Sequence, residues 1–159
     1  MNTIQNIAPD SRVWVYQSNR ELSSSETETL KKKATEFVAG WTAHNNQLKA
    51  EAKIYYNRFL VLIVDEEQAA ASGCSIDTSV KFIKEAEVEF KITLLDRMNL
   101  AYKKGDKVLS APKAEFEQLM LKGEINDDTI VFNNLVTTKA EFDTNWEIPL
   151  VKSWHKNLT

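Results

Sequence analysis

The segment Phe59-Leu60-Val61-Leu62-Ile63-Val64 is the longest apolar run in the chain. Six residues are too few for a typical helix, and branched residues are enriched in strands. A strand that is apolar at every position is typically covered on both faces. The run therefore predicts a strand at the centre of the protein. Because a membrane-spanning helix requires about 20 apolar residues, we expect no part of the chain to cross a membrane.

The residues before this run predict two more strands and a helix. Leu48–Tyr56 alternates polar and apolar side chains, as a strand with one solvated face does. Arg12–Ser18 alternates branched and aromatic residues and predicts the first strand. Between them, capping boxes at Ser23–Glu26 and Ser25–Glu28 precede apolar residues at helical spacing. A helix from about Ser25 to Trp41 follows.

The residues after the run predict a second series of helices and strands. An apolar stripe that ends at Phe90 indicates a long helix, with Ser75 or Asp77 as its cap. The remaining elements are a hairpin of 99–103 and 107–111 around Gly105, a helix from Pro112 to Lys122-Gly123, a short strand over 130–132, and a short helix opened by a capping box at Thr138–Glu141. Pro149 is expected to close the regular part.

This order of elements predicts an α+β fold in one domain over residues 1–159. The first six elements match the ferredoxin-like split βαβ plan, in which two helices cover one face of an antiparallel sheet. The C-terminal strand, helix, strand and helix would extend the edge of that sheet or shield its open face. A three-layer α/β sheet is the alternative, since it would also bury the central strand on both faces.

Composition and charge exclude several classes of protein. The chain has 159 residues and a net charge of -3, and residues 1–80 and 81–159 are both slightly acidic, so we expect no nucleic-acid partner. The N-terminus lacks the basic and apolar regions of a signal peptide. One cysteine permits no internal disulfide and suits a reducing compartment. These features predict a cytoplasmic protein.

No motif for a nucleotide, a cofactor or a metal is present. The four glycines are never spaced as in a Walker A loop or in G-x-G-x-x-G, and G-x-S-x-G, H-E-x-x-H and the EF-hand loop are missing. Two histidines and one cysteine are too few for a closed zinc site of four such ligands. We therefore expect no cofactor and no metal.

The segment Ser72-Gly73-Cys74-Ser75-Ile76-Asp77 is the strongest candidate for a site. It joins a loop of small residues to a predicted helix start, where free backbone amides and the helix dipole favour an anion. Gly73 would let the backbone approach a ligand closely. Trp41, Ser72, Gly73, Ser75 and Asp77 are the ligand-binding residues that this interpretation predicts.

Cys74 has two possible interpretations. At a helix start its thiolate would be stabilised and would act as a nucleophile, with His44 as the base and Asp65, Asp77 or Asp96 orienting the ring. In the other interpretation Cys74 is a small apolar residue packed under the helix, and His44 lies in the loop that closes the first helix.

Two further segments permit both functional and structural roles. Asn133 and Asn134 lie in a run of amides and hydroxyls that would bind a polar ligand, although turn and capping roles explain them equally well. The four tryptophans are expected in the core. Trp154-His155 would otherwise contact a partner.

Several stretches together resemble a family of small uncharacterised bacterial proteins. The resemblance covers nearly the whole chain and rests on residues 12–18, Trp41 with His44, residues 56–59, 72–77, 96–99 and 131–136, and Asn145-Trp146. Members often carry the automatic label "ABC transporter ATPase", but this chain has no Walker A motif, Walker B context or signature loop. The resemblance implies a cytosolic bacterial protein and transfers no catalytic residue.

Three hypotheses of function follow. The first is a non-enzymatic binding module for an anionic small molecule or a protein partner, with its site at Trp41, His44 and the 72–77 segment. The second is a thiol-dependent enzyme that uses Cys74 and His44 for acyl transfer or redox chemistry. The third is a structural subunit, most simply a homodimer formed through a sheet edge.

Overall fold

The apolar run at 59–64 forms the central strand of the first sheet. The structure is a computed structural model, and it describes residues 7–66 and 69–158. In chain order its strands are β1 (Arg12–Gln17), β2 (Thr42–Ala43), β3 (Asn46–Gln47), β4 (Lys49–Tyr55), β5 (Phe59–Asp65), β6 (Asn99–Lys104), β7 (Lys107–Pro112), β8 (Ile130–Phe132) and β9 (Glu147–Pro149). The helices are α1 (Ser24–Ala39), α2 (Gly73–Phe90), α3 (Lys113–Leu121) and α4 (Lys139–Asn145).

The first sheet has the strand order β1-β5-β4, and both pairs are antiparallel. Val61 of β5 lies between Val15 on one side and Lys53 on the other. Every residue of β5 is buried, which confirms the prediction of a strand covered on both faces. Since β1 and β4 flank the same antiparallel neighbour, they run parallel to each other, and the connection between them carries α1.

Three hydrophobic cores lie in successive layers. The first lies between α1, α2 and the face of β5 that carries Leu60, Leu62 and Val64. The second contains the opposite face of β5, with Phe59, Val61 and Ile63, and residues of β6, β8 and α4. The third lies between the far side of the second sheet and α3 with the C-terminal residues. The order of layers is therefore helices, sheet, sheet and helix.

The second sheet has the order β7-β6-β8-β9 and covers the open face of the first. The α+β class is thus confirmed. The full ferredoxin-like sheet is not confirmed, because β6 pairs with β7 and β8 instead of with β1. All neighbouring strands among the described residues are antiparallel, unlike the parallel strands of a three-layer α/β sheet.

A physical reason for this departure is that both faces of β6 are covered. Ala101 packs into the core between the sheets, whereas Leu100 and Tyr102 pack toward α3. A strand with one solvated face would have sufficed at the edge of the first sheet. A strand that needs cover on two sides is better buried in a second sheet with a helix behind it.

The helix boundaries follow the predicted caps with one correction. Ser23 caps α1 in a complete capping box with Glu26. The cap of α2 is Ser72, so the expectation of Ser75 or Asp77 was wrong. The helix consequently begins at Gly73, and Cys74 lies within its first turn. Gly123, with a φ of 78°, follows the end of α3 as predicted.

Regular structure also continues past the residue expected to close it. Glu147–Pro149 forms β9, and two short 3-10 helices follow over Leu150–Lys152 and Trp154–Leu158. In this segment His155 is fully buried and Trp154 packs against the third core. The C-terminal residues therefore complete the cover of the second sheet.

Candidate functional site

The predicted site at the start of α2 is closed by two serines. The Ser72 hydroxyl accepts a hydrogen bond from the Ser75 backbone N–H at 3.1 Å, and the Ser75 hydroxyl accepts one from the Ser72 N–H at 2.6 Å. Ser75 is buried, whereas Gly73 and Asp77 are exposed. A Cβ on Gly73 would meet no atom within 4 Å, so the space beside the backbone is open there. Ser72 and Ser75 thus serve the cap, and an anion at this point stays a prediction.

Trp41 connects the two long helices. It is 2% exposed, and its indole N–H donates to the Ser75 carbonyl oxygen at 2.8 Å. Its ring packs against Phe37, with the ring centroids 5.2 Å apart. The structure therefore brings Trp41 and Ser75 together as predicted, but the only polar atom of the Trp41 side chain is occupied.

Cys74 and His44 are both exposed. The burial of Cys74 under the helix, one of its two interpretations, is therefore wrong. His44 has a φ of 53° and forms, with Asn45, the two-residue turn between β2 and β3. Within the described residues neither the Cys74 thiol nor the His44 ring forms a hydrogen bond, so the catalytic pair stays a prediction.

Asn133 and Asn134 lie beyond the opposite face of the first sheet, next to β8. Asn133 has a turn role, since its Oδ1 accepts from the Leu135 N–H at 3.1 Å. The Asn134 side chain instead connects the two sheets. Its Oδ1 accepts from the Trp146 indole N–H, and its Nδ2 donates to Oε1 of Gln17, both at 2.9 Å.

The chemistry of this chain of bonds determines the orientation of both amides. The Trp146 indole nitrogen is only a donor, so the oxygen of Asn134 must face it. The nitrogen of Asn134 then faces Gln17, whose own nitrogen donates to the Asn99 carbonyl oxygen at 2.9 Å. The bonds use one N–H of each amide, so each retains a second donor. Gln17 is 5% exposed, and the network is thus a rigid polar element between the sheets.

A cleft lies beside this network, along the free edge of β1. Its inner part contains about 530 Å³ of empty space, some of it open to solvent, and its outer part about 600 Å³. The two parts share Val15, Tyr16, Arg97, Asn134 and Leu135. We call this feature the β1 cleft.

The free edge of β1 presents unpaired backbone groups to the cleft. The Ser18 N–H points toward β5 and donates to the carbonyl oxygen of Arg58. The Val13 N–H points the opposite way and donates to the carbonyl oxygen of Thr137. Because successive residues of a strand alternate, Val15 and Gln17 also direct their backbone groups away from β5. The Val15 N–H, the Val15 C=O and the Gln17 N–H form no hydrogen bond to the described part of the chain.

Positive charge and further donors lie in the same cleft. Arg97 lines both parts, and its guanidinium forms no ion pair or hydrogen bond with the described residues. Its charge acts on Tyr16, whose pKa is raised by burial and lowered in part by a hydrogen bond to Ser79 and by Arg97. Trp154 lines the inner part, and its indole N–H is buried without an acceptor. The cleft is therefore rich in hydrogen-bond donors.

Of the residues that form the β1 cleft, the sequence pointed to Asn134 as a ligand-binding residue, to Asp96 as one of three groups that would orient His44, and to Trp154 as a possible partner contact. One signal was present for Gln17, since it continues the buried face of Val13 and Val15 with a polar side chain. Arg97 offered no such signal, because an exposed arginine is common on any surface. The cleft forms only because two sheets meet, and spacing along the chain does not reveal that.

The described residues contain no group of three metal-ligating side chains arranged to hold an ion. Among the same residues, no helix has the length and apolar character that a bilayer span requires. Comparisons with models of protein families, with curated proteins and with solved structures find no significant match to this chain.

Proposed function

We propose that this protein is a non-enzymatic binding module whose β1 cleft takes up a short, extended, acidic segment of a partner protein. The observation that carries the proposal is that, within residues 7–66 and 69–158, neither the edge of β1 at Val15 and Gln17 nor the neighbouring guanidinium of Arg97 has a partner. An extended segment supplies the alternating N–H and C=O groups that a strand edge requires, and a carboxylate satisfies the guanidinium.

The strand edge favours an extended peptide over a compact small molecule. Val15 is 8% exposed and Gln17 5%, and unpaired backbone groups away from water cost free energy comparable to a lost hydrogen bond. From Val13 to Gln17 the edge extends about 13 Å at about 3.3 Å per residue, which accommodates about four residues of a partner strand.

The topology supports the same proposal. In the ferredoxin-like plan a fourth strand pairs with the free edge of the first, and in this chain β6 leaves for the second sheet. Thr137 and Thr138 occupy only the start of the edge, through an isolated bridge to Arg12. A partner segment in the β1 cleft would take the place of the fourth strand.

The donors in the β1 cleft favour an acidic segment. Arg97 and the second N–H groups of Gln17 and Asn134 are donors that no described residue uses, and the one carboxylate of the inner part, Asp96, already accepts from the Met98 N–H at 2.9 Å. Carboxylates accept hydrogen bonds without donating any, so they match such a surface.

The resemblance stated above is consistent with this proposal, and we propose that the protein is a cytoplasmic member of that bacterial family. Most of the lining of the β1 cleft belongs to three of the stretches that carry the resemblance. The residues concerned are 12–17, 96–97, 99 and 132–136. An exposed free thiol at Cys74 suits a reducing compartment.

The proposal is tested by selecting binders from a library of random hexapeptides displayed on phage. Selection on the wild type should enrich Asp or Glu at one position within an otherwise apolar or branched sequence. Selection on Arg97→Gln should lose that acidic preference. Lys31→Gln is the matched control, because it removes one exposed charge from α1, on the far side of the first sheet, and it should leave the preference intact.

Two outcomes would overturn the proposal. Enriched peptides that bind Arg97→Gln as well as the wild type would place the binding elsewhere. A wild-type protein with twice the monomer mass in solution, and with no selectable peptide, would assign the edge of β1 to a second copy of the chain.

A further inference from the structure

Arg58 is a buried cation that no carboxylate of residues 7–66 and 69–158 pairs with. It is 8% exposed, and its Nη1 donates to the Ser110 hydroxyl at 2.9 Å and to the Ser18 carbonyl oxygen at 3.5 Å. No acidic group of the described residues lies within ion-pair distance of it. Burial of an unpaired charge is strongly unfavourable, because the charge loses its hydration without gaining a counter-charge. A guanidinium in this position therefore needs an explanation.

The unused donors of Arg58 lie together on one edge of the guanidinium. Its Nε is buried without an acceptor. Its Nη2 forms no hydrogen bond to the described residues and is accessible to solvent. The Nε and Nη2 edge is one of the forks with which arginine binds both oxygens of a carboxylate.

The backbone around Arg58 is held firmly in place. Residues 56–58 join β4 to β5. Tyr56 and Asn57, with φ values of 56° and 52°, are the central residues of this turn, and the Arg58 N–H closes it by donating to the Tyr55 carbonyl oxygen at 3.0 Å. Non-glycine residues in this left-handed region are uncommon and cost free energy. The Tyr56 hydroxyl donates to the Glu147 carboxylate at 2.8 Å, and the Asn57 carbonyl oxygen accepts from the Leu22 N–H at 2.8 Å.

A cavity opens beside this turn, distinct from the β1 cleft, with which it shares no lining residue. It contains about 770 Å³ of empty space, part of it open to solvent, and Arg58, Lys107, Glu21 and Asp106 all line it. Burial lowers the pKa of Arg58, and the Glu21 carboxylate, which lies beyond ion-pair distance, opposes that shift only in part. Two cations and two carboxylates leave little excess positive charge, which disfavours a polyanion.

We propose that this cavity binds a small carboxylic acid, with its carboxylate on the Nε and Nη2 edge of Arg58 and with Lys107 as the second cation. Because Nε is buried, binding through the full fork requires a movement that uncovers it. Lys107 is exposed at the start of β7, so it contributes charge at the rim and little to the fold.

The experiment follows the Nε–Hε signals of the arginine side chains by NMR. The chain has four arginines, so Arg58→Lys assigns the signal of Arg58 by its loss. Acetate, benzoate and succinate are titrated at constant ionic strength, with chloride and inorganic phosphate as the comparison anions. We expect a saturable shift of the Arg58 signal with at least one carboxylate and none with chloride.

Three variants separate the proposal from its alternatives. Lys107→Gln should weaken the carboxylate about fivefold, as expected for a partly screened charge worth about 1 kcal/mol. Arg97→Gln changes the β1 cleft only and should leave the titration unchanged. Arg58→Lys retains the charge but lacks the fork, and it should bind no carboxylate although its backbone spectrum remains that of the folded protein.

A signal of Arg58 that does not respond to any of the three carboxylates would overturn the proposal and make the residue a structural clamp between Ser18 and Ser110. Tighter binding of phosphate than of every carboxylate would overturn the assigned ligand class. If Arg58→Lys does not fold, the response of Lys107→Gln decides, because an unchanged affinity in that variant would contradict the proposed geometry. None of these three results bears on peptide binding in the β1 cleft.

Discussion

Asn134 and Gln17 are 117 positions apart in the chain, and their side-chain amides form a hydrogen bond of 2.9 Å across the space between the two sheets. The bond is one step in a chain that runs from the Trp146 indole to the Asn99 carbonyl. Each amide has one orientation that satisfies its neighbours. The relative position of the two sheets at the β1 cleft is therefore specified by polar contacts as well as by the apolar core.

Replacing Asn134 with Ala should destabilise the protein. The substitution leaves the Trp146 indole N–H and the Gln17 Oε1 without partners, and an unsatisfied buried polar group costs about 1–3 kcal/mol. Asn133→Ala is the control, since within the described part of the chain its side chain bonds only to the Leu135 N–H in an exposed turn, and it should cost less. Urea unfolding of both variants measures the difference, and equal losses would contradict the role assigned to the network.

Only one of the two overlapping capping boxes should contribute to stability. The Ser23 hydroxyl accepts from the Glu26 N–H at 3.1 Å, and the Glu26 carboxylate accepts from the Ser23 N–H at 2.9 Å. Ser23→Ala should therefore cost about 1 kcal/mol. Ser25→Ala is the matched control within the same helix turn and should be nearly neutral. A larger loss of stability for Ser25→Ala than for Ser23→Ala, in thermal or urea unfolding, would show that Ser25 caps the helix instead.

The same carboxylate explains why the sequence alone left both boxes open. Glu26 also forms a bidentate ion pair with Arg20, with Nη2 at 2.8 Å from Oε2, and this bond is the main cause that lowers its pKa to about 2. Both S-x-x-E patterns satisfy the local spacing. Arg20, which lies outside both, pairs with the carboxylate of the box that forms.

Local pattern predicted the elements well and their assembly only in part. The strand at 59–64 was identifiable because burial on both faces leaves no polar position. The sheet that β6 joins was not identifiable, since the need for cover on its two faces arises from β8 and α3, whose positions the local pattern does not give. The β1 cleft and the position of Arg58 depend on that choice. For this reason the sequence offered Asn134 as a candidate but neither Arg97 nor Arg58.

The buried histidine should make stability depend on pH. Burial lowers the pKa of His155 to about 4. Above about pH 6.5 the ring is neutral in both the folded and the unfolded chain, so it adds no pH dependence. Below that value the unfolded chain binds the proton first, and the free energy of unfolding falls by about 1.4 kcal/mol per pH unit until about pH 4.

The measurement compares urea unfolding between pH 7 and pH 5 for three proteins. In His155→Gln the free energy of unfolding should depend less steeply on pH than in the wild type, because the buried ring is gone. This holds even if the variant is less stable at pH 7. His44→Gln replaces the exposed histidine and should retain the wild-type slope. Equal slopes in the wild type and His155→Gln would show that the buried ring is not the source.

Cys74 should react with alkylating reagents in the folded protein. Its side chain is exposed on the first turn of α2, so access does not require unfolding. Iodoacetamide should label the single thiol completely under native conditions, at a rate that urea changes little; labelling that appears only on unfolding would contradict the exposed position. If any turnover is found, Cys74→Ser decides the thiol-enzyme hypothesis, because retained activity would end it.

Hydrogen exchange in the central strand would report the global stability of all of these variants. The residues of β5 are buried on both faces, and its two edges pair with β1 and β4. Its amide hydrogens therefore have no route to solvent through local fraying, and their exchange with deuterium requires opening of the entire first sheet. Exchange rates at Val61, Leu62 and Ile63 should consequently follow the global free energy of unfolding, whereas those near the β1 cleft report local opening of the site.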